Sequence, residues 1–323
     1  MNIDELAKGI IAGERRALAR GITLVESSRE DHRAQATALL AALPKDREAM
    51  RIGLSGTPGV GKSTFIESLG MMLVGRGLRV AVLAIDPSSS RSGGSILGDK
   101  TRMDLLSREK AAFIRPSPSQ THLGGVARRT REAVSLCEAA GFDVVLIETV
   151  GVGQSETVVA EMSDLFLLLL APAGGDELQG VKRGIMEMAD IIVVNKADGD
   201  LKAAASRTCA DYSGALRLLR KRPQDPDGFP KAMTVSALQE DGLSEAWDEV
   251  QTLIDWRRVN SFWERTRASQ ARYWFEQSVK HELLAQLEAP KAKAALKALG
   301  DRVAQGMEDP TKAAQDFVLQ LDR

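Results

Sequence analysis

The run GTPGVGKST, beginning at Gly56, constrains this chain more than any other feature. Gly56, Gly61, Lys62 and Ser63 satisfy the pattern G-x-x-x-x-G-K-[ST] without a mismatch. The flanks agree with it: the apolar run RIGLS precedes it as a strand, and residues 64–70 open a helix. The glycines let backbone N–H groups converge on phosphate oxygens, and the helix N-terminus adds positive potential. A glycine-rich strand-to-helix turn without a ligand is the bland alternative, but it does not explain the lysine. Residues Gly56, Thr57, Pro58, Gly59, Val60, Gly61, Lys62, Ser63 and Thr64 are therefore expected to cradle a nucleotide. Lys62 is expected to neutralise the β- and γ-phosphates, and the Ser63 hydroxyl to bind Mg²⁺.

The rest of the chain reads as the scaffold such a loop needs. Apolar runs recur at 52–55, 80–85, 113–115, 144–147, 165–170, 191–194 and 233–235, separated by amphipathic stretches. Most are continuous rather than alternating, as parallel strands buried on both faces require. The expected fold is a doubly wound, mostly parallel α/β sheet, with ligands beyond the carboxyl ends of its strands. Residues 1–48 read as a helical N-terminal extension that Pro44 ends, 49–256 as the sheet domain, and 257–323 as a helical arm with Pro290 and Pro310 as breakers. All four tryptophans lie in the last quarter of the chain, and Trp274 and Phe275 stand one turn before Val279. Such a stripe either packs inside the molecule or serves dimerisation, since a small helical appendage has little core of its own.

Composition excludes several classes. Of the 323 residues, 43 are basic and 44 acidic, so no charge excess favours nucleic acid or an anionic membrane. No stretch approaches the ~20 apolar residues of a membrane helix. The N-terminus MNIDELAKGIIAGERRALAR has no signal-peptide core. Cys137 and Cys209 make no disulfide framework. A cytoplasmic protein is expected.

The base is legible too. The run 191–194 leads into Asn195, Lys196, Ala197 and Asp198, a guanine-reading NKxD sequence. Asp198 can accept from N1–H and the 2-amino group of guanine, whereas adenine would leave a buried carboxylate unpaired. The Lys196 stem can lie along the base plane. Ser236, Ala237 and Leu238 follow the last run and resemble a second guanine contact, made by backbone N–H to O6. GTP is thus the expected nucleotide.

The run 144–147 ends in Glu148, Thr149, Val150 and Gly151, where GTPases usually carry Asp-x-x-Gly. Glu148 can still hold a metal-bound water, and the Gly151 N–H is the expected γ-phosphate sensor. Val152 stands where Ras-like GTPases place a water-orienting glutamine, so slow intrinsic hydrolysis is expected. Gln154 is nearby, at the wrong spacing for a simple replacement. Asp86 and Asp99 are candidates for the Mg²⁺ shell; an N-cap and a surface aspartate are the plainer readings. The polar loop 172–182 reads either as a helix-capping loop or as a further nucleotide-sensing segment, in which Lys182 is expected to approach the phosphates.

Taken together, GTPGVGKST, LAIDPSSSRSGGSILGDKTRM, FIRPSPSQ, LGGVARRTRE, LIETVGVGQSE, GGDELQGVKRGI and VNKAD resemble the MeaB/ArgK/MMAA group of P-loop GTPases from residue 10 to 256. The resemblance implies a GTP-dependent chaperone of methylmalonyl-CoA mutase, or of a related acyl-CoA mutase, which gates adenosylcobalamin delivery and protects or reactivates the mutase. It implies a dimer formed through the C-terminal arm. It also implies Mg²⁺ acids at Asp86, Asp99 and Glu148, a switch lysine at Lys182, and switches near 86–103, 148–156 and 174–182. Older descriptions of similar chains name an arginine/ornithine transport ATPase, against which the guanine motif stands. No D-x-H-x-x-G cobalamin signature is present, so cobalamin is expected to belong to the partner. A metallochaperone GTPase for nickel or zinc is the neighbouring alternative, but it should show clustered Cys or His, and His32, His122 and His281 lie far apart. A nucleotide-gated scaffold without turnover is the third reading.

If Asp198 reads the base, Asp198→Asn will weaken GTP binding by roughly 10²-fold or more and move preference toward xanthosine triphosphate. Competition binding with the two nucleotides measures this, and unchanged GTP selectivity removes Asp198 from the base site.

Overall fold

The computed structural model describes residues 2–85, 103–117, 123–149, 155–172 and 183–321. Two compact units divide it, Met1–Gln270 and Ala271–Arg323.

In the first unit a seven-stranded sheet has the order β3-β2-β4-β1-β5-β6-β7, and every neighbouring pair is parallel. The strands are β1 Met50–Ser55, β2 Val80–Ile85, β3 Ala112–Ser117, β4 Val144–Thr149, β5 Leu165–Leu170, β6 Ile191–Val194 and β7 Lys231–Thr234. Each coincides with an apolar run of the sequence. β2, β4, β5 and β6 are buried along their whole length, which is why they carry no polar alternation. Three helices precede β1: α1 Ile3–Ile11, α2 Arg15–Glu26 and α3 Glu30–Ala42. Between strands follow α4 Lys62–Gly75, α5 Asp104–Arg108, α6 Leu123–Ala139, α7 Ser155–Met162, α8 Arg183–Met188 and α9 Lys202–Arg217. After β7 come α10 Leu243–Val259 and α11 Phe262–Leu287. The apolar core on one sheet face joins Ile52, Leu54, Phe65, Leu69, Leu146, Leu167, Trp247 and Ile254.

β1 is central, flanked by β4 and β5, and the winding direction reverses there. A doubly wound sheet opens its ligand crevice at such a reversal. Gly53 of β1 lets α7 come close: a Cβ there would stand 2.5 Å from Ser163 Oγ and 2.8 Å from Val159 Cγ1.

The amino edge of the sheet is closed by a repeated device. An aspartate directly precedes β4, β5 and β6, and its carboxylate accepts from a neighbouring strand's N–H. Asp143 takes Arg79 N at 2.7 Å, Asp164 takes Arg51 N at 2.8 Å, and Asp190 takes Phe166 N at 2.7 Å. Arginines from the later helices complete the edge. Arg257 Nη2 donates to Asp190 at 2.6 Å and to Asp225 at 2.7 Å, while Arg222 also pairs with both. Arg267 pairs with Asp164 at 2.7 Å, and its guanidinium lies 4.2 Å from the Trp263 ring centroid. Burial alone would lower the Arg257 pKa; the Asp190 and Asp225 carboxylates reverse this and hold it above the ordinary arginine value.

The N-terminal helices join the opposite flank through ion pairs. Arg33 of α3 pairs with Glu132 of α6 at 2.9 Å, and Glu26 of α2 pairs with Arg115 of β3.

The second unit contains the end of α11, then α12 Pro290–Ala304 and α13 Pro310–Leu321. Both prolines stand first in their helices, where the missing N–H is not needed. Phe275, Val279 and Leu283 of α11 recur every four residues and are 68%, 41% and 57% exposed. Trp274, their neighbour, is buried. The aromatic stripe of the sequence therefore splits between a buried tryptophan and an exposed apolar face. Among the described residues, no helix is long and apolar enough to cross a membrane.

Arg257→Ala would leave buried Asp190 and Asp225 to Arg222 alone, and the expected loss is about 3 kcal/mol of stability. Urea denaturation followed by tryptophan emission measures it; a loss below about 1 kcal/mol would mean the edge does not depend on this pair.

Candidate functional site

The loop after β1 turns where only glycine fits. A Cβ on Gly56 would lie 2.4 Å from the Leu169 carbonyl oxygen of β5. Gly61, at φ 87°, precedes α4 in the left-handed region, and a Cβ there would meet Asn195 Nδ2 at 2.7 Å. Between them Val60 is buried and anchors the loop in the core, while Pro58, Gly59 and Thr64 stay exposed and Thr57 and Ser63 half-buried. Helix α4 therefore presents its first N–H groups at the carboxyl end of the central strand.

Lys62 opens that helix, and its Nζ donates to Gly56 O at 2.6 Å. Its charge is thus folded over the loop it must serve. Burial pushes the Lys62 ammonium below the ordinary lysine range, while the Glu148 and Glu156 carboxylates pull it back up. Glu148, near the end of β4, pairs in register with Leu54 of β1 and is buried. Glu156, in the first turn of α7, is buried as well. Sequence reading picked out Glu148 and passed over Glu156. The only signal for it was an acid in the first turn of a helix, which usually means a solvated dipole partner.

The second half of the site lies beyond β6 and β7. Asn195 is fully inside, and its amide bridges three pieces of chain. Nδ2 donates to Val60 O at 3.0 Å and reaches Gly61 O at 3.4 Å, and Oδ1 accepts from Ala237 N at 3.0 Å. Lys196 follows with φ 58°, a conformation that costs a non-glycine residue about 1–2 kcal/mol. Its Nζ donates to Gly59 O at 2.6 Å, which aligns its stem across the loop. The Asp198 carboxylate accepts from the Ser236 hydroxyl, and Ser236 Oγ accepts in turn from Gln239 N at 3.2 Å. Ser68 of α4 donates to Ala237 O at 2.8 Å, tying the same turn to the phosphate-loop helix.

Within 236–238, two N–H groups are already committed. Ser236 N donates to Asp241 O at 2.9 Å and Ala237 N to Asn195. The expected backbone contact to a base therefore narrows to Leu238, whose side chain is 78% exposed. Asp86, Asp99, Gly151 and Lys182 lie outside the described residues. The residues that remain, Ser63 and Glu148, offer a hydroxyl and a carboxylate, hard oxygen donors that suit Mg²⁺.

The phosphate loop after β1 and the base loop beyond β6 and β7 thus meet through Asn195. One offers glycine backbone and a lysine, which suits phosphates. The other offers an oriented carboxylate and one N–H donor, which suits guanine.

Comparison with known proteins agrees. The family model described as Methylmalonyl Co-A mutase-associated GTPase MeaB matches residues 18–292. The mouse protein named Methylmalonic aciduria type A homolog, mitochondrial, is 46% identical across 97% of this chain and 78% of its own length. GTPase ArgK of Escherichia coli K12 is 48% identical across 86% of this chain and 83% of its own. A solved structure titled LAO/AO transport system kinase superposes with a TM-score of 0.74 at 36% identity, covering 99% of this chain and 98% of that one.

Asn195→Ala would leave the buried Ala237 N–H unpaired and release Val60 from the base loop. The expected stability loss is about 1–3 kcal/mol, with nucleotide affinity falling alongside it. Urea denaturation and nucleotide titration read the two effects. A stability loss with unchanged affinity would show that Asn195 supports the core without organising the site.

Proposed function

The chain belongs to the family of methylmalonyl-CoA mutase-associated GTPases and hydrolyses GTP, and from that premise we propose that it is a chaperone of an adenosylcobalamin-dependent acyl-CoA mutase, methylmalonyl-CoA mutase foremost. In this reading it gates delivery of the cobalamin to the mutase and protects or reactivates it, and the cobalamin is held by the mutase. The observation that carries the reading is the junction at Asn195, where a phosphate loop and a guanine loop meet in a chain matched to this family along most of its length.

The chemistry follows from the side chains. A water attacks the γ-phosphorus in line, the bond to the β,γ-bridging oxygen breaks, and the water's proton passes to the phosphate released. Lys62 exchanges Gly56 O for phosphate oxygens, and the loop N–H groups hold the charge that develops on the bridge. Ser63 and Glu148, with Asp86 and Asp99, would hold Mg²⁺, which neutralises charge between the β- and γ-phosphates when bound. Gly151 senses the γ-phosphate, and Lys182 approaches it from the loop after β5. Asp198, oriented by Ser236, selects guanine, with the Leu238 N–H on O6. Val152 leaves the attacking water without a glutamine, so the intrinsic rate is low and the partner raises it.

Phosphate release then changes the segments that leave β2, β4 and β5, and through them the surface offered to the mutase. The helical arm 257–323 serves dimerisation, with the exposed Phe275, Val279 and Leu283 face as its contact. The protein acts in the cytoplasm.

Turnover of GTP, with ATP as control, with and without purified methylmalonyl-CoA mutase, tests this reading. Slow GTP hydrolysis accelerated by the mutase is expected, and Lys62→Ala should lower kcat by roughly 10²–10³-fold. Hydrolysis indifferent to the mutase would remove it as the client, and survival of full turnover in Lys62→Ala would remove Lys62 from the chemistry.

A further inference from the structure

Helical hydroxyls in this chain usually bond their own helix. Thr37, Ser135, Ser206 and Thr252 each donate to the carbonyl four residues back, the local bond such side chains favour in mid-helix. Ser68 of α4 departs from that pattern. Its hydroxyl donates at 2.8 Å to Ala237 O, 169 residues along the chain. A carbonyl only accepts, so the direction of this bond is fixed.

Ala237 is thereby held through both of its backbone groups. Its N–H donates to Asn195 Oδ1 at 3.0 Å, and its carbonyl takes the Ser68 hydroxyl. Its neighbours are committed too: Ser236 N donates to Asp241 O at 2.9 Å, and Gln239 N to Ser236 Oγ at 3.2 Å. Among the described residues, the N–H of residues 236–239 left for a ligand is that of Leu238.

That N–H and the Ala237 carbonyl belong to one peptide unit. The unit is planar and trans, so its C=O and N–H point in opposite directions. A hydroxyl that holds the carbonyl on the α4 side therefore aims the N–H away from α4. A bonded carbonyl also makes the N–H of its own unit a stronger donor. Ala237 is 2% exposed and Leu238 is 78% exposed, so the turn passes from core to surface at this one peptide. Lys62 opens the same helix, so a single rigid element sets both the lysine at the phosphate end and the peptide at the base end.

We propose that Ser68 is a positioning residue for base recognition: its hydroxyl fixes the plane of the 237–238 peptide so that the Leu238 N–H meets guanine O6. Ser68 thus acts through the backbone, without touching the nucleotide. This role rests on the guanine reading proposed above, in which Asp198 takes the N1–H and 2-amino edge.

Competition of GDP, 6-thio-GDP and IDP against a fluorescent GDP, on the full chain, tests it. 6-Thio-GDP replaces O6 by sulfur, a poorer acceptor, and IDP lacks the 2-amino group that Asp198 reads. Wild type should bind GDP more tightly than either analogue. In Ser68→Ala, GDP should weaken by about 3–10-fold, the effect of one neutral hydrogen bond. The preference for GDP over 6-thio-GDP should fall toward one, while the preference over IDP stays. Alanine is the stronger helix former, so α4 itself is kept. Weaker binding that leaves both preferences unchanged, or lowers them together, would make Ser68 a support of the fold and overturn the proposal, as would a variant that binds like wild type. Wild type that distinguishes IDP but not 6-thio-GDP would overturn the proposal and leave Asp198 in place. Wild type that binds all three equally would remove the guanine reading itself.

Discussion

One amide organises the site. Asn195 stands at the end of β6, donates to the phosphate loop at Val60 and accepts from the base loop at Ala237. A nucleotide is long, and its two ends are read by loops more than 130 residues apart in the chain (the Val60–Asn195 separation is 135). Left independent, those loops would each lose conformational freedom on binding. Bonded through Asn195, and again through Ser68 and Lys196, they hold one arrangement before any ligand arrives. In the proposed function, guanine-nucleotide affinity and the placement of Lys62 both draw on that prior ordering.

The two edges of the sheet are built on opposite electrostatic terms. At the amino edge, every buried carboxylate of the Asp164, Asp190 and Asp225 set meets an arginine, and each strand-entry aspartate also takes a backbone N–H. That edge is satisfied and rigid. At the carboxyl edge, Lys62 is half-buried with the Glu148 and Glu156 carboxylates near it. A lysine whose ammonium burial disfavours thus stands where ligands arrive, which is where a protein can use it.

What was legible in the sequence was what local chemistry encodes. The continuous apolar runs became the seven parallel strands because burial on both faces removes polar alternation, and Pro290 and Pro310, read as breakers, stand first in their helices because proline fits there and nowhere further in. The phosphate loop was legible because its glycines answer a local backbone demand. The structural work of Asn195 was not legible: its partners are backbone groups of distant loops, which the NKxD pattern does not report. The same holds for Ser236, whose hydroxyl orients Asp198, and for the strand-entry aspartates. The pattern of an aspartate before an apolar run occurs three times, at Asp143, Asp164 and Asp190, but its meaning depends on which strands become neighbours. Pairings such as Arg257 with Asp190 span 67 residues, and no periodicity reports them.

These features also limit how a nucleotide signal can leave the site. β1 cannot shift alone: it is paired on both sides, its Arg51 N–H is held by Asp164, and Gly53 brings α7 into close contact. The base loop cannot shift without breaking the Asn195 bridge. A change at the γ-phosphate is therefore not transmitted by sliding the sheet, whose close packing and closed amino edge resist it. Among the described elements, the one placed to carry it is α7, which begins after β4 and lies directly on β1. Glu156 sits in the first turn of that helix and senses the Lys62 charge, so the helix feels the electrostatic state of the phosphate loop at its own N-terminus. A close-packed sheet with one such helix confines the proposed response to a single face of the sheet.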